Sequence, residues 1–253
     1  MMHSRIFDAI LHEVPQDARI EDVSVGIFWT CVRTKYGCAI SATAHRWQDD
    51  PPGAIIPFAG DLVGMRVADV APLYDAPSLT ARSLANAAVS ASFAPDVMTG
   101  TVDYGNAQSL ILTRCAGRPH HIALVGHFHF GDELRAMGHR VDIFELPERC
   151  GDGDIPNTEI PARLGDAEIV MMTSSTLITH ATEDILRHCA YGAYRLIVGP
   201  TVPVHPVLWD FGFDAVCCGR VTDPEQVLRA TRQGANHRQL TGCIKLNYLR
   251  SDV

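Results

Sequence analysis

The chain has 253 residues, of which 47% are hydrophobic and 20% charged, with a formal net charge of -8. That is an ordinary globular composition, long enough for a substantial core in one or two domains, and its acidic balance argues against a general nucleic-acid partner, which wants a basic surface. No window approaches the ~20 apolar residues of a membrane helix, and the opening "MMHSRIFDAILHEV" brings an acid by Asp8 and no long apolar run, so neither a signal peptide nor a membrane partner is expected and the expected location is the cytoplasm.

In chain order, "SRIFDAILHEV" (4–14) predicts an amphipathic helix. "IEDVSVGIFWTCVRT" (20–34) and "YGCAISAT" (36–43) read as two strands joined by a turn near Lys35 to Gly37. Residues 44–62, rich in Pro, Gly and Asp, predict a long loop, and long loops in compact domains are often functional. "SLTARSLANAAVSASF" (78–93) predicts an alanine-rich helix packed closely on a neighbour, and 94–106 a connector. This first part, 1–105, is expected to be an α+β domain.

The second part has a βα rhythm. Strands are predicted at 120–126, 139–146, 166–173, 194–199 and 214–219, each a short apolar run suited to a parallel strand buried on both faces. Helices are predicted between them. "DELRAMG" closes at Gly138, and "ATEDILRHCAYG" (181–192) has Thr182 as its cap and Gly192 as its end. "HPVLWDFG" (205–212) has Pro206 in its first turn, and "TDPEQVLRATRQG" (222–234) has Asp223 as cap and Pro224 behind it. The alternation predicts a Rossmann-like, doubly wound, mostly parallel sheet over 106–253.

In such a sheet ligands bind outside the carboxyl ends of the strands. Those ends carry "GHFHFG", "ELPERCGDGD", "TSSTL", "GPTVPVHP" and "GRVTD". Glu145 follows Gly126 by nineteen positions, close to the spacing of ~20 at which an acid holds a ribose diol; a solvated strand-end carboxylate is the other reading. The first turn keeps Gly126 and Gly131 but fills the space between with His127 to Phe130. That bulk disfavours a pyrophosphate and leaves room for a nucleoside-type ligand such as S-adenosylmethionine. Thr173, Ser174, Ser175 and Thr176 stand at a helix entrance, where they can hold an anion or only cap the helix. Gly199, Pro200 and Thr201 form a stiff turn that either presents backbone to a ligand or redirects the chain.

His127 and His129 are two apart, so in extended chain both imidazoles share a side, as a metal clamp needs. Glu145, Cys150, Asp152, Asp154 or His205 could supply a third donor; packing and solvation are the alternative. The eight cysteines form no C-x-x-C, which predicts buried reduced thiols. Cys217 and Cys218, adjacent on a strand, should face opposite ways. No G-x-S-x-G, Walker loop or H-E-x-x-H is present.

"ALVGHFHF", "DIFELPERCGDGDIP", "VMMTSSTLITHATEDIL", "LIVGPTVPVHPVLWDFGFDAV" and "GRVTDPEQVLRATRQG" together resemble the bacterial and archaeal family labelled "putative heavy-metal chelation". The resemblance implies a Rossmann-like second half and a first half like the N-terminal domain of enolase, carried by "VGIFWTCV", "YGCAIS" and "SLANAAVSA". It implies a ligand cleft between the two, and with it a role for Asn86, whose amide needs a backbone or ligand partner. His129 stands where the family usually has proline, and "GPTVP" replaces "GP-S-x-P" while keeping a hydroxyl at Thr201.

Two functions are therefore expected. In the first, the chain binds a metal ion or small metal-bound ligand in the interdomain cleft, as a chelator or handling protein; a transition metal is then the cofactor. In the second, it is an enzyme using a nucleoside-type cofactor on a small-molecule substrate. A homo-oligomer is compatible with either.

Overall fold

The computed structural model describes residues 4–44, 55–94 and 96–251. Most of the loop predicted over 44–62 lies outside the described residues, as does Pro95 of the connector.

The first half begins with helix α1 (Arg5–His12), capped by Ser4, whose hydroxyl accepts from Phe7 N. Three antiparallel strands follow, β1 (Asp22–Val25), β2 (Trp29–Arg33) and β3 (Cys38–Ala42), in the order β1-β2-β3. The single strand expected over 20–34 is thus a hairpin. Gly26 closes it, donating its N–H to Trp29 O at 2.9 Å, and a Cβ there would lie 2.3 Å from Thr231 O of a helix in the second half. A short helix α2 (Val67–Val70) and a 3-10 turn over Ala71–Asp75 lead to α3 (Leu79–Ser90), capped by Ser78. Alanines 81, 85, 87 and 88 of α3 are all fully buried, as its composition predicts.

The connector contains a strand, β4 (Thr101–Asp103), and is followed by α4 (Ala107–Arg114), which sequence periodicity did not predict. Then come β5 (His121–Val125), α5 (Gly131–Ala136), β6 (Arg140–Glu145), β7 (Ile155–Pro156) and α6 (Ile160–Arg163). They continue into β8 (Ile169–Thr173), α7 (Ser175–Ile178), α8 (Thr182–His188), β9 (Tyr194–Val198) and α9 (Val207–Asp210). The chain ends with β10 (Ala215–Val221), α10 (Pro224–Arg232) and β11 (Cys243–Leu249). Helix α8 stops at His188, short of Gly192, and its cap is Ala181 rather than Thr182. Thr182 instead gives its hydroxyl to a 2.8 Å contact with Thr176. Pro206 sits one place earlier than expected, at the cap of α9.

The large sheet has the order β4-β11-β10-β9-β8-β5-β6-β7. From β10 to β7 every pairing is parallel; β11 and β4 add antiparallel strands at one edge. Numbered along the chain, the parallel strands run 3-2-1-4-5-6, the doubly wound order. Alternation along each strand feeds two cores. Ile122, Leu124, Ile143, Met171 and Cys217 meet Ile111 of α4 and Leu134 of α5 on one face. Ala123, Val125, Phe144, Met172 and Cys218 join a core on the other face that includes Ile6, Ile10, Leu84 and Ala88 of the first half. The adjacent thiols Cys217 and Cys218 therefore do face opposite ways. The small sheet lies between α3 and α10: Val32 points into the larger core, and Cys31 and Ile40 meet Val227 and Leu228 of α10.

Candidate functional site

The doubly wound order reverses between β5 and β8, and a cleft of about 300 Å³ opens there at the carboxyl ends of β5, β6 and β8. Its floor is apolar, with Val125, Phe128, Phe144, Leu146, Ile160 and Ile185. Polar groups converge from the strand ends: His127, Glu145, Arg149, Asn157, Ser175 and Asp184. A mostly apolar hollow with a few convergent polar groups is the usual form of a small-molecule site, and this volume is at the small end of that class.

The turn after β5 is built around Gly126. Its φ is +103°, its N–H donates to Phe144 O at 2.8 Å, and a Cβ there would lie 2.9 Å from Thr173 Cγ2. Gly131 serves differently, since a Cβ there would meet Ile143 Cδ1 at 3.0 Å as α5 packs on the sheet. Both glycines thus have packing reasons that need no phosphate. Gly126→Ala is expected to cost about 1–3 kcal/mol through the left-handed backbone and the methyl clash. Adding Thr173→Ser should recover the steric part, and equal melting temperatures of wild type and Gly126→Ala would refute the account.

Glu145 ends β6 and is 9% exposed. Its Oε2 accepts His127 N at 3.2 Å and its Oε1 accepts Leu146 N at 2.8 Å. The carboxylate therefore fixes the turn that carries His127. The His127 ring is itself held: Nδ1 lies 3.2 Å from Asp154 Oδ2, an oxygen that also accepts Gly151 N at 2.8 Å. A carboxylate on one ring nitrogen sets the tautomer and leaves Nε2 as the chemically available atom. Arg149 has no carboxylate partner among the described residues, whereas Asp184 is paired with Arg187 at 2.6 Å. Burial and the nearby Asp154, Glu145 and Glu148 carboxylates push the Cys150 thiol up, which keeps it protonated.

The sequence-derived residues separate into two places. Gly126, His127, Glu145, Thr173, Ser175 and Thr176 line the cleft. Asn86, Ser174, Gly199, Pro200 and Thr201 do not; they lie where the halves meet or beside that contact. Asn86 Nδ2 donates to Thr201 O at 2.8 Å, and Thr201 Oγ1 accepts Ala42 N at 2.9 Å. The carboxyl end of β9 is thus covered by the first half. Ser174 donates its N–H to Val198 O, and a Cβ at Gly199 would come within 2.2 Å of Ser174 Oγ. Pro200 lines a smaller hollow of about 50 Å³ between the halves. Within the cleft, Thr176 donates its hydroxyl to Thr173 O and accepts that of Thr182, so it shapes the α7–α8 turn.

His129 is outside the cleft lining, exposed, with its ring edge-on to Phe130 at 5.5 Å between centroids. Among the described residues, no group of three or more His, Cys, Asp or Glu side chains is arranged to hold a metal ion. His205 is fully buried and packs on Phe93, with Glu13 beside it. His127, His129 and their candidate third donors therefore do not fit a bare ion. Arg149 and Asn157 carried no pattern of their own in the sequence. The one signal available for Arg149 was its place in "ELPERCGDGD", the loop at a strand's carboxyl end.

Comparison with known proteins adds the following. The profile of a family described as "Putative heavy-metal chelation" matches residues 110–250, and a second profile with the same description matches residues 7–93. A crystal structure of a protein with unknown function from the DUF364 family of Desulfitobacterium hafniense DCB-2 is similar, with a TM-score of 0.80 at 18% identity over 97% of this chain and 98% of that one. One from Pyrococcus horikoshii, of the same family and also of unknown function, gives 0.73 at 18% identity over 98% and 99%. At that identity the likeness concerns the fold alone. No curated protein matches the chain.

Proposed function

The chain belongs to the family described as "Putative heavy-metal chelation", and from that premise we propose that it binds a small anionic molecule with an apolar body in the β5–β6–β8 cleft, either free or as its metal chelate. One observation carries this reading: Arg149, without a carboxylate partner among the described residues, and His127, set by Asp154, converge over an apolar floor at the switch point of the sheet. An anion would face Arg149, the body would lie on Phe128, Phe144 and Ile160, and His127 Nε2 would supply one hydrogen bond or one donor to a chelated ion. Metal handling in this reading comes through the ligand, because the described residues of the cleft supply no donor set for a bare ion.

Calorimetry with aromatic carboxylates, aliphatic carboxylates and phosphates, each with and without Zn(II) or Ni(II), tests it. At least one class should bind, and Arg149→Ala should weaken it about 10–100-fold, the loss of one charge-assisted contact. Binding by none of these classes, or indifference to Arg149→Ala, would sink the reading. The nucleoside-cofactor alternative has no observation of its own: each oxygen of Glu145 already accepts a backbone N–H, and a ribose diol would have to share them.

The remaining parts of this reading concern organisation. The β1-β2-β3 meander followed by α3 is in keeping with a first half, 1–105, that resembles the enolase N-terminal domain, ahead of a Rossmann-like domain, 106–253. With that division β4 is contributed across the boundary. A cytoplasmic setting, without nucleic-acid partners, agrees with the acidic composition; no described helix is long and apolar enough to cross a membrane.

A further inference from the structure

The soft donors of this chain lie elsewhere than in the cleft. Cys31 on β2 and Cys38 on β3 bring their Sγ atoms to 3.5 Å. The strand register pairs Cys31 with Ile40 and Cys38 with Arg33, so the two cysteines are diagonal neighbours on one face of the small sheet. That face is turned to α10, where Cys31 packs with Ile40, Val227 and Leu228, and Cys38 and Cys243 adjoin the same cluster.

Diagonal neighbours carry Cβ atoms somewhat less than ~7–8 Å apart, whereas a disulfide needs about 3.5–4.5 Å. The register therefore works against a direct S–S bond. A shared ion meets no such obstacle. With metal–sulfur bonds of about 2.3 Å, the observed separation of 3.5 Å subtends an angle of about 100° at the ion. Spreading the sulfurs to about 4.6 Å would make the same pair linear, given bonds of that length.

We propose that Cys31 and Cys38 form a two-thiolate site for a soft, thiophilic metal ion, with Cu(I) and Hg(II) as the class of occupant. Thiolate softness selects such ions, and they accept as few as two donors, which is what the sheet provides. Cys243 is the nearest further thiol in the cluster. Access runs through the small hollow between the halves, which Cys38 lines together with Pro200, Gly219 and Tyr248. Cys38 is thus the entry donor. Binding then follows the balance of two thiols plus one ion giving a bis-thiolate and two protons. This site is independent of the cleft reading, and it offers donors that the His127–His129 pair lacks.

The test uses the full chain, reduced and kept anaerobic, titrated with Cu(I) against a chromophoric competing chelator. One equivalent should bind with release of two protons. Cys38→Ser should weaken it about 100-fold or more, the loss expected when two linked donors become one. Cys189→Ser, a thiol packed elsewhere, should leave it unchanged. Cys31→Ser should behave like Cys38→Ser; should burial prevent it from folding, the half-buried Cys38 variant decides alone. Absence of a tight equivalent in wild type, or an unchanged one in Cys38→Ser, would overturn the site.

Discussion

Replacing Tyr74 with alanine should cost about 3–5 kcal/mol of stability, the range for removing a large buried aromatic ring. Tyr74 lies in the 3-10 turn before α3 and is 2% exposed. Its ring stacks on Phe7 of α1 with centroids 3.6 Å apart, and on His180 at 4.7 Å. Its hydroxyl donates to Leu177 O of α7 at 2.6 Å. One side chain therefore joins α1, the first-half core and the α7–α8 turn that walls the cleft. His180 completes the joint from the other side: it has a φ of +60°, and its Nε2 lies 3.0 Å from Tyr74 O. Burial pushes the Tyr74 phenol up, so it remains the hydrogen-bond donor across ordinary pH. Tyr74→Phe isolates the hydroxyl and should cost about 0.5–1.5 kcal/mol, the loss of one buried hydrogen bond, since Leu177 O keeps the N–H of His180 at 3.2 Å. Since domains carry about 5–15 kcal/mol in all, the alanine variant removes a large share. Hydrogen exchange should show the loss in both halves, in α3 and in α7–α8 together. A loss confined to the first half, or a melting temperature near wild type, would show that the joint is not there.

What was legible in the sequence follows from how each segment is buried. All five residues of β5 are buried, and β8 and the start of β10 are nearly so. Such strands show as unbroken apolar runs, because both faces are covered. β11 has exposed residues at Ile244 and Lys245 and a buried Asn247, and β4 is three residues long and largely exposed. Neither makes an apolar run, and both are strands only because a neighbour pairs with them. The hairpin at Gly26 was hidden for a related reason: what demands glycine there is the backbone of Thr231, some two hundred residues away. The site divides similarly. Glu145 was legible by its distance from Gly126, but its partners, His127 N and Leu146 N, were not. Asn86 was legible as an amide in need of a partner, and the partner is Thr201 O in the other half. Cys31 and Cys38 form no C-x-x-C, and their approach was hidden because it is diagonal across two strands and has no local period.

The clearest separation of the readings of Glu145 comes from Glu145→Ala. If the carboxylate holds the first turn, its loss orphans the N–H groups of His127 and Leu146. Each orphan costs about 1–3 kcal/mol when buried. His127 is exposed, so water can reach its amide and the total should fall near the low end, about 2–3 kcal/mol. The turn would then be free to move, carrying the His127 ring away from Asp154, and cleft ligands of every class should bind at least about tenfold more weakly, since misplacing one charge-assisted contact is worth that much. Glu145→Gln keeps the shape and one acceptor but sets an NH2 against the second N–H, so it should lie between wild type and alanine in both stability and affinity. A carboxylate that served only a ribose diol would behave otherwise: both variants would keep the stability of the ligand-free protein and lose binding of nucleosides alone. Melting temperature without ligand therefore decides between the two. The imidazole nitrogen shifts of His127 give the second readout, because they report whether Asp154 still holds Nδ1. Unchanged melting and unchanged shifts in Glu145→Ala would remove the turn-holding role.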